Sequence, residues 1–210
     1  MASLEMLTTF AIATLLFAYL PGPALLYTTA QTVSRGRRAG FFAALGIHLG
    51  CYVHVIAAAC GLSAIFLATP VLYTALKIGG GVYLVWMGIQ MIRTRSAGSG
   101  DIPALPPRSA RRAFADSIIV ELTNPKVAVF FIAFLPQFVD PAAALPVWAQ
   151  FLILGTAVNC AFSSADICAV LFASGVRKWL GRSPRIGNLV PRLGGVVLVG
   201  LGLRLAMERN

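Results

Sequence analysis

The chain has 210 residues, of which 58% are hydrophobic and only 11% charged, and its mean hydropathy is +0.82, so it lacks the polar surface that an ordinary soluble domain needs. A net charge of +10 does not point to nucleic acid, because the basic residues sit in short loops between apolar runs, without interleaved aromatics or a recognition helix. The composition predicts an all-α integral membrane protein in contact with the lipid bilayer, with no nucleic-acid partner.

The first apolar run starts at residue 4 and continues past Pro23 to Val33. Its N-terminal flank carries Glu5 and no Lys or Arg, unlike a secretory signal, so the run is read as a retained first helix. Five more segments follow, near 40–68, 70–92, 113–137, 145–175 and 189–207, at or above the length a bilayer demands. Arg35, Arg37 and Arg38 follow the first segment, Arg93, Arg95, Arg108, Arg111 and Arg112 the third, and Arg177, Lys178, Arg182, Arg185 and Arg192 the fifth. The loops around Thr69-Pro70 and Asp140-Pro141 have no basic residue. The positive-inside rule therefore makes the odd loops cytoplasmic and puts both termini outside.

Ser96 to Pro107 is rich in Gly, Ser and Pro and reads as a linker. It divides the chain into a three-helix repeat (1–95), a cytoplasmic linker (96–110) and a second three-helix repeat (111–210). The run Gly80-Gly81-Val82-Tyr83-Leu84-Val85-Trp86-Met87-Gly88 in the third segment matches Gly194-Gly195-Val196-Val197-Leu198-Val199-Gly200-Leu201-Gly202 in the sixth. An odd number of helices per half inverts the second half, so the expected architecture is six transmembrane helices in two inverted repeats, with broken first and fourth helices.

The breaks are written in proline. In Leu20-Pro21-Gly22-Pro23 two backbone donors are missing and Gly22 adds freedom, so the first helix should unwind and restart near Ala24. The restarted half-helix presents free N–H groups and a positive dipole end, which suit a carboxylate. The fourth segment breaks at Asn124-Pro125, three residues after Glu121 and just before Lys126. Ionisable groups at this depth are expensive and normally face a cavity or a partner. Lys77, Asp116, Glu121, Lys126 and Asp166 form the membrane-embedded set, with Lys77 expected to snorkel outward. Asp166 lies deep in the fifth segment among Asn159, Ser163 and Ser164. Burial disfavours the charged form of a carboxyl, which suits it to carry a proton or receive an ammonium; a permanent pair with Lys126 is the structural alternative. His48 reads as polar lining and a candidate relay, and His54 as a hydrogen-bonded packing residue. Six residues apart, they do not share a helical face as a metal pair would. Gly46 and Gly50, four apart, read as a small-residue packing seam. The candidate substrate-binding set is thus Pro21, Gly22, Pro23, Asn124, Pro125, Lys126 and Asn159; the candidate proton-coupling set is Asp166, Glu121 and His48.

Pro21-Gly22-Pro23, Asn124-Pro125-Lys126, the Phe130-Phe131-Ile132-Ala133-Phe134-Leu135-Pro136-Gln137-Phe138 tail, and Tyr83-Leu84 with Gly88 together resemble the LysE/RhtB family of amino-acid exporters. One position departs from that pattern, since Asp116 stands where a glycine is expected. The resemblance implies a bacterial inner-membrane transporter, not an enzyme, without cofactor or bound metal. Its expected cargo is a small zwitterionic amino acid or close derivative, moved from cytoplasm to periplasm against protons. The exposed glycine seams suggest a homodimer. The rival readings are a divalent metal-cation exporter, which needs a converging ligand cluster, and a membrane thiol-redox protein, which needs two exchanging thiols among Cys51, Cys60, Cys160 and Cys168. The topology has its own test: a reporter active only outside the cytoplasm should give signal when fused after Asn210 and none when fused after Arg95. The opposite pattern would reverse the assigned orientation.

Overall fold

The computed structural model describes residues 4–64, 70–93 and 110–182, together with Arg192, Gly195, Val196, Val199, Gly200, Gly202 and Leu203. Residues 96–109 of the proposed linker (96–110), and most of the sixth segment, lie outside the described residues, while Ala110 begins a helix. The helices are α1 (Leu4–Tyr19), α2 (Pro23–Arg35), α3 (Arg37–Ala57), α4 (Pro70–Arg93), α5 (Ala110–Leu122), α6 (Pro125–Val129) and α7 (Val147–Arg182). A π-helical turn, Ala58–Leu62, extends α3; a π turn, Phe130–Phe134, and a 3-10 turn, Leu135–Phe138, extend α6. No strand occurs among the described residues.

Arg37–Leu62 and Val147–Phe172 are each long and apolar enough to cross a membrane. Two further spans arise only if a bent pair counts as one: Met6–Tyr19 with Pro23–Arg35, bent by 46°, and Arg111–Leu122 with Pro125–Phe138, bent by 42°. Both bends fall at the expected prolines. Each proline occupies the first turn of the restarted helix, where its missing N–H is harmless. Gly22 caps α2 in an extended conformation with no side-chain bond, whereas Asn124 caps α6 with its side chain. Gly36, at φ +86°, makes the corner between α2 and α3 in a conformation that glycine alone adopts without strain.

The glycines at 46 and 50 set α3 directly on α5. A Cβ at Gly46 would meet the Ser117 hydroxyl and come within 2.5 Å of the Phe114 carbonyl; one at Gly50 would come within 2.9 Å of the Glu121 Cβ. Such backbone approach is how helices associate where burial from water offers no drive. A second seam joins α4 to the C-terminal segment, where Gly88 abuts Gly195 and Val199, and Gly202 abuts Gly81 and Val85.

The core is aromatic. Although the segment after Lys126 is apolar enough to lie in lipid, Phe130, Phe131, Ala133, Phe134 and Leu135 are each 2% exposed or less, and it is Ile132 that faces out. Phe130 packs on Phe17 at 4.5 Å between ring centres, and Phe134 and Phe138 pack on Phe10 at 6.2 and 5.1 Å. The turn before α7 is closed by Gln150, which donates to the Asp140 carbonyl (2.8 Å) and the Leu145 carbonyl (2.7 Å) and accepts from the Asp140 N–H (2.9 Å).

The α3–α5 seam makes a stability prediction. Gly46→Val should destabilise the detergent-solubilised protein by about 1–3 kcal/mol through overpacking. Gly61→Ala, where a Cβ meets nothing within 4 Å, should stay within about 0.5 kcal/mol. Equal thermal melting of the two variants would refute the seam.

Candidate functional site

The two breaks meet. Pro21-Gly22-Pro23 interrupts the chain after α1, so the carbonyls at the end of α1 and at Leu20 are short of helical donors: the i+4 partner of Phe17 is Pro21, which has no N–H, and Phe17 O accepts from the Leu20 N–H at 3.2 Å. The Lys126 ammonium, from the first turn of α6, donates to two of them, Phe17 O at 2.8 Å and Leu20 O at 2.6 Å. It also lies 4.7 Å from the centre of the Phe17 ring and 5.9 Å from that of Phe162. Gly22 makes room for the lysine arm, since a Cβ there would stand 2.7 Å from Lys126 Cδ.

Around this contact lies a cavity lined by Ala18, Gly22, Ala24, Leu25, Ile47, Glu121, Asn124, Lys126, Val127, Phe162 and Asp166. Its volume is about 20 Å³, the space of about one water, so the side chains have closed on one another. Glu121, Asn124 and Asp166 are 1%, 2% and 3% exposed. Asn124 organises the second break: its Oδ1 accepts from the Lys126 N–H (3.1 Å) and its Nδ2 donates to Glu121 Oε2 (3.1 Å). The Cys51 thiol lies beside the Glu121 carboxyl, and the His54 Nε2–H donates to the Glu121 backbone carbonyl at 3.0 Å while its ring stacks on Phe131. The wholly buried Thr28 hydroxyl sits beside Asp166 without completing a hydrogen bond. Asp166 and Glu121 both act electrostatically on Lys126. Among the described residues neither comes within the 4.0 Å of an ion pair with it, because its donors are turned to the α1 carbonyls.

Five of the ten candidates from the sequence therefore line one cavity: Gly22, Asn124, Lys126, Glu121 and Asp166. Pro21, Pro23 and Pro125 are exposed and do not line it; they shape the breaks. Asn159 and His48 lie outside it, in a neighbouring polar cluster. There Asn159 Nδ2 donates to the His48 carbonyl (3.2 Å) and His48 Nδ1 bonds the Ser163 hydroxyl, tying α3 to α7. Asn159 shares a helical face with Asp166 but sits two turns away, about 10 Å along the axis. Asp116 is half-buried on α5 away from the cavity, and the Lys77 side chain lies outside the described residues. Sequence reading missed Thr28, Phe17 and Phe162. Only Phe162 left a signal, since it precedes Asp166 by four residues and so shares its face. Among the described residues no three of His, Cys, Asp and Glu converge as metal ligands, and all four cysteines are free.

Comparison with known proteins places this geometry. The family model of the LysE type translocator matches residues 15–209. An uncharacterised membrane protein of Pseudomonas aeruginosa is 33% identical, over 94% of this chain and 93% of its own. A leucine efflux protein of Klebsiella pneumoniae is 29% identical over 94% and 93% of the two chains, and a homoserine/homoserine lactone efflux protein of Salmonella typhi 29% over 96% of each. No solved structure matches the chain.

Asn124 satisfies both a helix start and a buried carboxyl, so its loss should be felt twice. Asn124→Ala should lower stability by about 1–2 kcal/mol for the cap alone, with a further loss of about 1–3 kcal/mol for the abandoned Glu121 oxygen. Asn124→Asp, which keeps the cap, should recover the first part and not the second. Thermal denaturation of the two variants reads the difference, and equal melting of Ala and wild type would contradict it.

Proposed function

The chain belongs to the LysE type translocator family, and from that premise we propose that it exports a small zwitterionic amino acid or close derivative from the cytoplasm, in exchange for protons. The named leucine and homoserine efflux relatives support the cargo class. The observation that carries the reading is the composition of the cavity. Two carboxyls, Glu121 and Asp166, face one ammonium, Lys126, at the junction of two broken helices. In a low-dielectric site an excess acid must take up a cation, either a proton or a substrate ammonium. Competition between these two for one carboxyl couples the fluxes, because each loaded form can reorient and the bare form cannot. The first-turn N–H groups after Pro23, where Ala24 and Leu25 line the cavity, are oriented for the substrate carboxylate, with Asn124 and Lys126 beside them.

The membrane is the bacterial inner membrane, with both termini periplasmic by the charge bias of the loops. Support for the six-helix inverted repeat comes from the α4 seam. Gly81 and Gly195 are counterparts in the repeat match, as are Gly88 and Gly202. Gly88 touches Gly195 and Val199, while Gly202 touches Gly81 and Val85. Counterparts exchanging the same contacts is the pattern of a two-fold axis, which an inverted repeat places in the membrane plane.

Cells loaded with a panel of dipeptides should release one or a few amino acids faster with the protein than without it, and a protonophore should stop the excess. No accelerated release of any amino acid would refute the export reading. Asp166→Asn should remove the pH dependence of efflux; full proton coupling in that variant would move the coupling role away from Asp166.

A further inference from the structure

The Lys126 ammonium occupies a place built for a primary amine. Two carbonyls, Phe17 in the last turn of α1 and Leu20 just beyond it, accept from it at 2.8 and 2.6 Å, the faces of Phe17 and Phe162 flank it, and Asp166 lies in the same cavity. A free amino acid brings the same chemical group, an ammonium on an aliphatic carbon. The remaining volume, about 20 Å³, holds about one water and does not admit an amino acid beside the lysine. A substrate amine can therefore reach these acceptors only as Lys126 leaves them.

On the premise that the cavity takes a zwitterionic amino acid, we infer that Lys126 is a tethered counter-cation: its ammonium fills the amine subsite of the unloaded carrier and is displaced by the substrate's own ammonium. Displaced, it faces the substrate carboxylate and the carboxyl of Asp166, so the charge of the loaded site is arranged around it. When substrate departs, the lysine returns to the Phe17 and Leu20 carbonyls, and the empty carrier closes without exposing bare acceptors to a dry interior. Leaving those acceptors and two carboxyls uncompensated would make closure of the empty site unfavourable. The absence of a side chain at Gly22 belongs to the same device, because it lets the lysine arm cross the break.

The consequence is a kinetic split. Net efflux requires the substrate-free, proton-loaded carrier to return, while exchange of inside for outside substrate does not. The full chain, reconstituted in vesicles loaded with radiolabelled leucine or homoserine, is assayed for net efflux into amino-acid-free buffer and for exchange against the same unlabelled amino acid. Lys126→Met should lower exchange, since the loaded site loses a charge, but should lower net efflux by about a further tenfold or more, the scale expected from stranding buried charge. Gly22→Ala keeps every functional group and only pushes the lysine arm aside, so it should show the same split with a smaller loss, and it decides the matter if Lys126→Met does not accumulate. Equal loss of both fluxes in a folded variant would overturn the inference, making Lys126 a plain substrate ligand. Retention of both in Lys126→Met would overturn it equally. Absence of any leucine or homoserine flux by the wild-type protein, repeated across a wider amino-acid panel, would instead overturn the export reading and this inference with it.

Discussion

The interaction on which the rest of the structure depends is the pair of hydrogen bonds from Lys126 to the carbonyls of Phe17 and Leu20. A helix interrupted at membrane depth has backbone groups that lipid cannot satisfy, so an interruption survives only where something else bonds them. Here each break answers the other. The first supplies carbonyls that proline leaves short of donors, and the second supplies a cation on a flexible arm. Asn124 then closes the second break by capping α6. Gly22 permits the approach, and the aromatic faces of Phe17 and Phe162 line the path of the charge. Straightening either helix would strand the groups of the other.

The two carboxyls that share this site are not equivalent. Glu121 is held by the Asn124 amide and has the Cys51 thiol beside it, on the α5 face that Gly50 brings against α3. Asp166 has the Thr28 hydroxyl near it and no amide. A carboxylate whose acceptor sites are already filled by fixed donors gains little from a new cation, whereas one with lone pairs to spare gains more. Under the proposed antiport, this asymmetry favours Asp166 over Glu121 for the exchange between proton and amine, with Glu121 held by the Asn124 amide.

Much of this was legible in the chain because proline and charge are costly in an apolar run and so stand out. Pro21-Gly22-Pro23 and Asn124-Pro125 marked both bends, and Lys126, Glu121 and Asp166 marked the lining of the cavity. What did not stand out were groups whose role comes from tertiary placement. The backbone carbonyls of Phe17 and Leu20 carry no signature in sequence, and Thr28 looks like any helical threonine. The phenylalanines after Lys126 are apolar enough to face lipid or core and carry no mark of which; the bend turns them inward against α1, where they pack as an aromatic cluster. Asn159 and His48 stand out in sequence too but lie apart from the cavity. Polarity in an apolar segment demands a partner, and these two found theirs in a link between α3 and α7 rather than in the cavity.

The closed cavity also indicates where an exporter of this design must open. The α3–α5 contact is made backbone to backbone, with no room for a methyl group at Gly46, and close-packed surfaces of that kind move as one body rather than slide. By contrast, α1 and α6 are joined at the site by the flexible arm of Lys126, and each is followed or preceded by a break that already absorbs more than 40°. Hinges are positions between elements that absorb large changes of backbone angle. The Lys126 contact lies at both breaks, so under the proposed displacement the contact that seals the empty site is also the one an entering ammonium breaks, and substrate binding and opening would be one event.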